Sequence, residues 1–176
     1  MKKYISAIAL LLCLCMLFAG CGNKQDENAP DGYKLASAEE TDYLFYVPSS
    51  WIIDSSTLYT SAYVSAGDAS SVSVTAYGLE RESTTVADWW KGYTEQFDEA
   101  FEEMEVVTEE KVTMGGIEGV KYTYTAKIAG AQYNFVCSAV VRGNYVYYML
   151  YTSTPANYES HLEELDGIIS NFDFKE

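Results

Sequence analysis

Alternating hydrophobic and polar residues dominate the second half of the chain and predict a β-meander. From Glu105 to about Thr152 the pattern is that of four strands, separated by short glycine-containing pairs. These pairs, which are typical of two-residue hairpin turns, are Gly115-Gly116, Gly130-Ala131 and Gly143-Asn144. Because a two-residue turn fixes the pairing of the strands beside it, the residues that share each face of the sheet can be read from the sequence.

The two faces of the predicted meander differ in character. One is almost wholly apolar and needs a cover; it carries Val120, Tyr122, Tyr124, Ile128, Tyr133, Phe135, Cys137, Ala139, Val141, Val146, Tyr148 and Leu150. The other is divided between a polar strand and two apolar ones; it carries Lys121, Thr123, Thr125, Lys127, Val136, Val140, Tyr147, Met149 and Tyr151. The divided face is therefore either covered by a helix or free to meet a partner.

Two segments have the three-and-four spacing of amphipathic helices. The first follows a capping box of Thr85 and Asp88, and its apolar stripe is Val86, Trp89, Trp90, Tyr93, Phe97, Phe101 and Met104. The second follows Thr154-Pro155, and its stripe is Tyr158, Leu162, Leu165, Ile168, Ile169 and Phe172. With a helix available for each face, the pattern predicts an α+β fold, a mostly antiparallel β-sheet sandwiched between helices.

Shorter strands are predicted ahead of the first helix. Tyr43 to Val47 forms the first one, which ends at Pro48, and strand-like segments follow near 58–65 and 70–78. We therefore expect a single domain over residues 41–176, which is long enough to bury one core.

The N-terminus has the features of a bacterial lipoprotein signal. Lys2 and Lys3 precede an apolar stretch, Ile5 to Phe18, which is too short to span a bilayer. The stretch closes on Leu17-Phe18-Ala19-Gly20-Cys21, which resembles a lipobox. The resemblance implies removal of residues 1–20 and acylation of Cys21, with residues 21–40 as a lipidated flexible tether. The alternative is an ordinary secretory signal beside a coincidental cysteine.

Charge narrows the range of partners. The full chain carries a formal charge of −15, and without residues 1–20 it has 9 basic and 26 acidic side chains, hence −17. So acidic a chain is repelled by nucleic-acid phosphates and by anionic lipid headgroups. We therefore expect no nucleic-acid binding, and attachment to the extracytoplasmic side of the cell membrane through the lipid on Cys21 alone.

Three parts of the sequence resemble the PsbP-like superfamily, which includes uncharacterised bacterial lipoproteins and the Ran-binding Mog protein. They are the opening strand and turn Phe45 to Trp51, the aromatic strand Tyr145 to Thr152, and the ending Ser170 to Phe174. The resemblance implies a PsbP-like α+β fold and a non-enzymatic accessory or binding role. No functional residue of the plant or nuclear relatives can be placed on this sequence.

Few residues suggest chemistry. His161, the only histidine, is expected on the surface of the last helix, where Ser160 points about 100° away and cannot act as its nucleophile. Cys137 is expected in the core with a raised pKa. The acidic residues Glu95, Asp98, Glu99, Glu102, Glu103 and Glu105 suggest either a calcium site or, preferably, the solvated face of the first helix. We expect no metal, no cofactor and no catalytic residue.

The aromatic residues leave several functions open. Tyr147, Met149 and Tyr151 beside Lys121 and Lys127 form a possible partner surface, because aromatic and methionine side chains are favoured at interfaces. Trp89 and Trp90 either stack on a sugar or pack their helix, with one partly exposed. The favoured hypothesis is a non-catalytic binding or accessory module for an envelope partner. The alternatives are a lipoprotein that holds a small ligand in an aromatic pocket and, last, an envelope enzyme.

Overall fold

The computed structural model describes residues 28–54, 60–81, 83–97 and 101–176. Within these ranges the chain forms strands, two α-helices and one 3-10 helix, Tyr158–His161. In chain order the strands and α-helices are β1 (Tyr33–Leu35), β2 (Tyr43–Leu44), β3 (Tyr46–Pro48), β4 (Ile52–Asp54), β5 (Thr60–Ser65), β6 (Asp68–Gly78), α1 (Val86–Phe97), β7 (Glu102–Met114), β8 (Ile117–Ile128), β9 (Ala131–Arg142), β10 (Tyr145–Ser153), α2 (Leu162–Ser170) and β11 (Asp173–Phe174).

One antiparallel sheet organises the fold. Its strand order is β4-β5-β6-β10-β9-β8-β7, so the predicted meander of β7 to β10 is confirmed and β6 joins it beside β10. Two small pairs, β1 with β3 and β2 with β11, lie outside this sheet. The mostly antiparallel α+β fold predicted from the sequence is therefore confirmed.

The hairpin turns set the register, and one of them differs from the prediction. Gly115-Gly116 and Gly143-Asn144 are two-residue turns as expected. The third turn is Ala129-Gly130, not Gly130-Ala131, because Ile128 pairs with Ala131. Both turn residues have positive φ (50° and 77°), as a type I′ turn requires. The pairing moves by two residues, so Cys137 faces Tyr122 instead of Tyr124, and the predicted faces are kept.

Each face of the sheet carries its own hydrophobic core. The α1 core includes Val86, Trp89, Trp90, Tyr93, Tyr122, Tyr124, Ala126, Phe135, Cys137, Ala139 and Val146. The α2 core includes Tyr43, Phe45, Val47, Trp51, Val72, Val74, Met114, Val136, Val140, Tyr147, Met149, Tyr151, Leu165, Ile168, Ile169 and Phe172. The α2 core is the larger because α2, β2, β3 and the segment around Trp51 all pack into it.

The helices are shorter than the sequence predicts. Phe97 is the last helical residue of α1, and Glu102 already belongs to β7, so Phe101 and Met104 do not continue the helical stripe. The acidic and apolar residues there fit either periodicity, and the β-branched Val106-Val107-Thr108 that follow favour a strand. Similarly, α2 begins at Leu162, after a turn at Pro155 and the 3-10 helix.

The folded domain begins earlier than Thr41. Tyr33–Leu35 forms β1 and pairs with Tyr46–Pro48, so the second half of the predicted tether over residues 21–40 belongs to the fold. The hydroxyl of Tyr33 approaches Gly167 on α2 so closely that a β-carbon there would lie 2.0 Å from it. The predicted signal, residues 1–20, and Cys21 lie outside the described residues. In the described ranges no helix is both long enough and apolar enough to cross a bilayer.

Candidate functional site

The divided sheet face is covered, so the predicted partner surface is wrong. Tyr147, Met149 and Tyr151 are buried beneath α2 and the N-terminal strands. The Tyr147 hydroxyl donates a hydrogen bond to Asp42, and the Tyr151 hydroxyl donates one to the carbonyl oxygen of Tyr158 at 3.2 Å. The alternative weighed from the sequence, a helix over this face, is what the structure shows. These three side chains therefore pack against α2 and the N-terminal strands of the same chain.

The two lysines of that predicted surface pair with the neighbouring edge strand. Lys121 lies 3.2 Å from Glu110, and Lys127 lies 2.6 Å from Glu103. Both glutamates are on β7, and both lysines are on β8. Exposed pairs of this kind contribute about 0–1 kcal/mol each, so they align β7 on β8 more than they stabilise the fold.

His161 is more than a helix-surface residue. Its Nε2 lies 2.9 Å from a carboxylate oxygen of Asp68, at the start of β6, and its Nδ1 lies 2.6 Å from Glu164. Its ring meets the edge of the Trp51 indole, with 5.9 Å between ring centroids. Both ring nitrogens are therefore engaged by carboxylates, which favour the protonated form of the imidazole and leave neither nitrogen free to act as a base.

The charges of this cluster, His161 with Asp68 and Glu164, support one another. Burial by itself would lower the pKa of His161, but the hydrogen bonds to Glu164 and Asp68 outweigh it and raise that pKa above its ordinary value. Burial likewise opposes ionisation of Asp68, yet hydrogen bonds from Ser70, His161 and Asn157 hold the pKa of Asp68 far below its usual range. The cluster connects the start of α2 to the β5–β6 hairpin.

Cys137 has the core position predicted for it. Its side chain is fully buried in the α1 core, and it forms no disulfide. Burial raises the pKa of the thiol well above its ordinary value, so the reactive thiolate is suppressed.

The acidic residues do not form one helix face. Glu95 lies on α1, whereas Glu102, Glu103 and Glu105 lie on β7; Asp98 and Glu99 lie outside the described residues. Among the described residues no group of three His, Cys, Asp or Glu side chains is arranged to hold a metal ion.

A cleft beside α1 is the strongest candidate site. It lies between α1, the ends of β6 and β10, and the segment that connects β6 to α1, and it has a volume of about 370 Å³. That volume lies within the range of small-molecule and side-chain pockets. Its lining consists of Tyr77, Leu79, Glu80, Thr84, Asp88, Trp89, Gly92, Tyr93, Gln96 and Tyr148. We refer to it below as the α1 cleft.

Aromatic rings form the floor of the α1 cleft. Trp89 lies 5.0 Å from both Tyr93 and Tyr148, measured between ring centroids, and Tyr93 meets Tyr148 edge-on at 5.5 Å. Beneath them Trp90 stacks on Tyr122, with centroids 4.0 Å apart and planes 4° from parallel. Both tryptophans are mainly buried, so the prediction that one is partly exposed is wrong, although Trp89 shows its remaining surface to the cleft.

The rim of the α1 cleft is held by the start of the helix. The predicted capping box is present: the backbone N–H and hydroxyl of Thr85 donate to Asp88 at 3.1 and 2.7 Å, and the Asp88 N–H donates to the Thr85 hydroxyl at 3.1 Å. On the other side Tyr77 is 52% exposed at the end of β6. The backbone N–H of Leu79 donates to the carbonyl oxygen of Asn144 at 2.8 Å, which fixes the connecting segment to the β9–β10 turn.

Sequence reasoning found Trp89 and Tyr93 but missed Tyr77, Leu79 and Glu80. One signal for Tyr77 was present. The residues of β6 that face α1 are Ser71, Ser73, Thr75 and Tyr77, a polar row that ends in one large aromatic. Such an aromatic on an otherwise polar row indicates a local contact surface. Leu79 and Glu80 lie in an irregular segment with no periodicity, and only the fold brings them to α1.

Known structures resemble this chain in fold. Cyanobacterial PsbP (CyanoP) from Synechocystis aligns with a TM-score of 0.62 at 12% identity, over 87% of this chain and 98% of that one. The yeast Ran-binding protein Mog1p aligns with a TM-score of 0.61 at 11% identity, over 81% and 95%. A Pseudomonas aeruginosa protein of unknown function, PA94, described as a putative regulator, gives 0.50 at 14% identity, over 79% and 94%. The chain has the PsbP-like fold expected from its sequence.

At these identities the likeness establishes fold and nothing about chemistry. No family model matches the sequence, and no curated protein does. The residues of this chain, and not its fold, carry the evidence for its function.

Proposed function

We propose that this protein is a lipid-anchored, extracytoplasmic binding module, without catalysis of its own, that receives an envelope protein at the α1 cleft. The observation that carries the proposal is the contrast between the cleft and the chain's reactive groups. His161 is held between two carboxylates and Cys137 is buried, whereas Trp89, Tyr93 and Tyr148 line an open cleft. Aromatic side chains in such clefts supply much of the binding energy at protein interfaces.

The position of the α1 cleft suits a membrane-anchored protein. Asn28 and Pro30, at the start of the described chain, lie beside Gly116 and the end of α2. The register places the turns at Gly115-Gly116 and Gly143-Asn144 at one end of the sheet, where β6 also ends at Tyr77-Gly78. Seven residues from Cys21 to Asn28 extend at most about 25 Å. A lipid on Cys21 would therefore keep the cleft end of the domain close to the membrane surface.

The nature of the fold supports a binding role in a general way. Two of the proteins with this fold are a cyanobacterial PsbP and a Ran-binding protein. For this chain we propose a binding role of the same general kind, with a partner in the cell envelope.

Anchoring and docking can be tested separately. For anchoring, we expect wild-type protein in the membrane fraction, extractable by detergent and bearing fatty acid by mass spectrometry, and Cys21→Ser in the soluble extracytoplasmic fraction. Membrane retention of Cys21→Ser with an unmodified N-terminal segment would remove the anchor from the proposal.

For docking, chemical crosslinking in intact membranes followed by affinity isolation should recover one stoichiometric envelope protein. Tyr77→Ala should lose that protein. Tyr145→Ala is the matched control, because Tyr145 is 50% exposed on the neighbouring strand but belongs to the opposite face. Equal recovery with both variants would contradict docking at the cleft.

The second candidate is a small ligand held in the same cleft, which the volume of about 370 Å³ favours. It differs from the first in one result. A small ligand would be retained by purified protein and identified by native mass spectrometry, with no crosslinked partner.

A further inference from the structure

The lining of the α1 cleft carries charge of one sign. Glu80 and Asp88 contribute carboxylates, and no lysine or arginine is among the described residues that line it. Arg81 and Lys91 are neighbours in sequence but lie outside the lining. The hydroxyl and backbone N–H of Thr85 donate to Asp88 and lower the pKa of its carboxyl, with a further contribution from Lys91. Asp88 is therefore fully ionised near neutral pH, and the cleft presents negative charge beside its aromatic floor.

Aromatic rings and carboxylates together form a site for a cation. The face of a tryptophan or tyrosine ring attracts an ammonium or guanidinium group, and a carboxylate at the rim adds a charge-assisted hydrogen bond. The alkyl stem of a lysine or arginine can rest on the apolar surface of Trp89 and Leu79 while its charged head stays near solvent. The strongly acidic chain adds a long-range attraction for positive partners.

We propose that the α1 cleft receives a lysine or arginine side chain of the partner, lying against the Trp89–Tyr93–Tyr148 floor with its charge near Glu80 and Asp88. This inference rests on the proposed function in using the same cleft, and it names the chemistry that the cleft selects. The partner segment is accordingly basic, the opposite of the chain that binds it.

The test uses the folded protein and three capped tripeptides. Acetyl-Gly-Lys-Gly-amide carries the charge, acetyl-Gly-Arg-Gly-amide carries the guanidinium, and acetyl-Gly-norleucine-Gly-amide has the stem of lysine without the charge. Two-dimensional ¹⁵N NMR follows the indole N–H signals, assigned by single Trp→Phe substitutions. Trp89 reports on the cleft, and Trp51, fully buried in the α2 core, is the internal control.

We expect the Trp89 signal to shift saturably with the lysine and arginine peptides and the Trp51 signal to stay in place. The norleucine peptide should bind about fivefold more weakly, and higher salt should weaken only the charged peptides. Glu80→Gln should reduce the lysine affinity, whereas Glu95→Gln, an exposed position on α1 outside the lining, should not. Equal binding of the lysine and norleucine peptides would contradict the proposal that the α1 cleft binds a cationic side chain. Equal shifts of the Trp51 and Trp89 signals, or no shift at any peptide concentration, would contradict it as well.

Capture of the envelope partner by Glu80→Gln and by Tyr77→Ala distinguishes a failure of the basic side chain from a failure of docking at the cleft. If Glu80→Gln leaves capture of the envelope partner intact while Tyr77→Ala abolishes it, the partner docks at the cleft but does not insert a lysine or arginine side chain there. If neither variant affects capture, docking at the cleft is itself wrong.

Discussion

The two faces of the sheet are both aromatic, but they are closed in different ways. The face under α2 is sealed by a helix, by the strands around Tyr43 to Trp51, and by the cluster of His161, Asp68 and Glu164. The face under α1 is covered by one helix, and the α1 cleft remains open alongside it, from Asp88 to Gln96. An aromatic sheet face therefore does not identify a binding surface; the number of elements that cover it decides.

The two faces differ because more segments of the chain pack on the α2 side of the sheet than on the α1 side. Residues 28–54 and 154–176 supply many of the side chains that pack into the α2 core. Among the residues that the structure describes, the α1 side is covered by the connection between β6 and β7, residues 79–81, 83–97 and 101. Consequently the α2 face of the sheet is structural, whereas the α1 face retains a cleft that can bind a partner.

The largest effect is expected in the structural face. Tyr151→Ala removes a side chain that is 0% exposed and should lower the free energy of unfolding by about 3–5 kcal/mol. Tyr151→Phe, which keeps the ring but loses the hydroxyl with its hydrogen bonds to Tyr158, Ser153 and Ser70, should cost about 1–2 kcal/mol. Urea unfolding followed by tryptophan fluorescence measures both. A loss below about 1 kcal/mol for Tyr151→Ala would show that this face is less tightly closed than its burial indicates.

Breaking the cluster of His161, Asp68 and Glu164 should lower the free energy of unfolding by about 1–3 kcal/mol. The contribution of the cluster should depend on pH. The folded-state pKa of His161 is raised, so its stabilisation is complete below the unfolded value of about 6.5 and is lost as pH rises through the folded value. The folded-state pKa of Asp68 is lowered, so its contribution is present above about 3.9 and is lost only in stronger acid.

Because His161 is the only histidine, His161→Gln isolates this effect. The difference in unfolding free energy between wild type and His161→Gln should be largest near pH 5 to 6 and should shrink toward pH 9. A difference that stays constant from pH 5 to pH 9 would mean that the imidazolium does not hold α2 in place.

The helical glycines give a matched pair with a smaller effect. A β-carbon at Gly92 on α1 meets nothing within 4 Å, so Gly92→Ala should stabilise by about 0.5–1 kcal/mol. A β-carbon at Gly167 on α2 would lie 2.0 Å from the Tyr33 hydroxyl, so Gly167→Ala should lose that gain and displace β1. Tyr33→Phe should restore part of it. Equal stabilisation by both alanines would contradict the closer packing of the α2 side.

The smallest stability effect is expected at the two half-exposed tyrosines. Tyr77→Ala and Tyr145→Ala should each change the free energy of unfolding by no more than about 0.5 kcal/mol. Differential scanning calorimetry is sufficient for the comparison. A large loss for Tyr77→Ala alone would make Tyr77 a structural residue, and its loss of partner capture would no longer report on docking.

Much of this architecture could be predicted from the sequence, for definite physical reasons. Gly115-Gly116 and Gly143-Asn144 are short turns, and the stripe of Leu165, Ile168 and Ile169 has one periodicity, so local residues alone determine these elements. The turn at Gly130 was predicted one residue too late, yet the residues predicted for each face of the sheet are correct. A shift of two residues in the pairing preserves the alternation of side chains.

The failures share a dependence on tertiary context. Strand β1 is three residues long and forms only because Tyr46–Pro48 is beside it. Phe101 and Met104 fit a helix as well as a strand until the pairing of β7 with β8 decides. The assembly of the α1 cleft joins residues that are distant in sequence, which no local pattern reveals.

The central claim is that the face under α1 meets the partner and the face under α2 does not. Site-specific photo-crosslinking in intact membranes tests it most directly, with p-benzoylphenylalanine placed at Tyr77 in one protein and at Tyr145 in another. Both positions are half-exposed on paired strands, and the new side chain is aromatic like the old one. We predict one discrete crosslinked protein from position 77 and none from position 145; a crosslink from position 145 alone, or equally from both, would contradict the account.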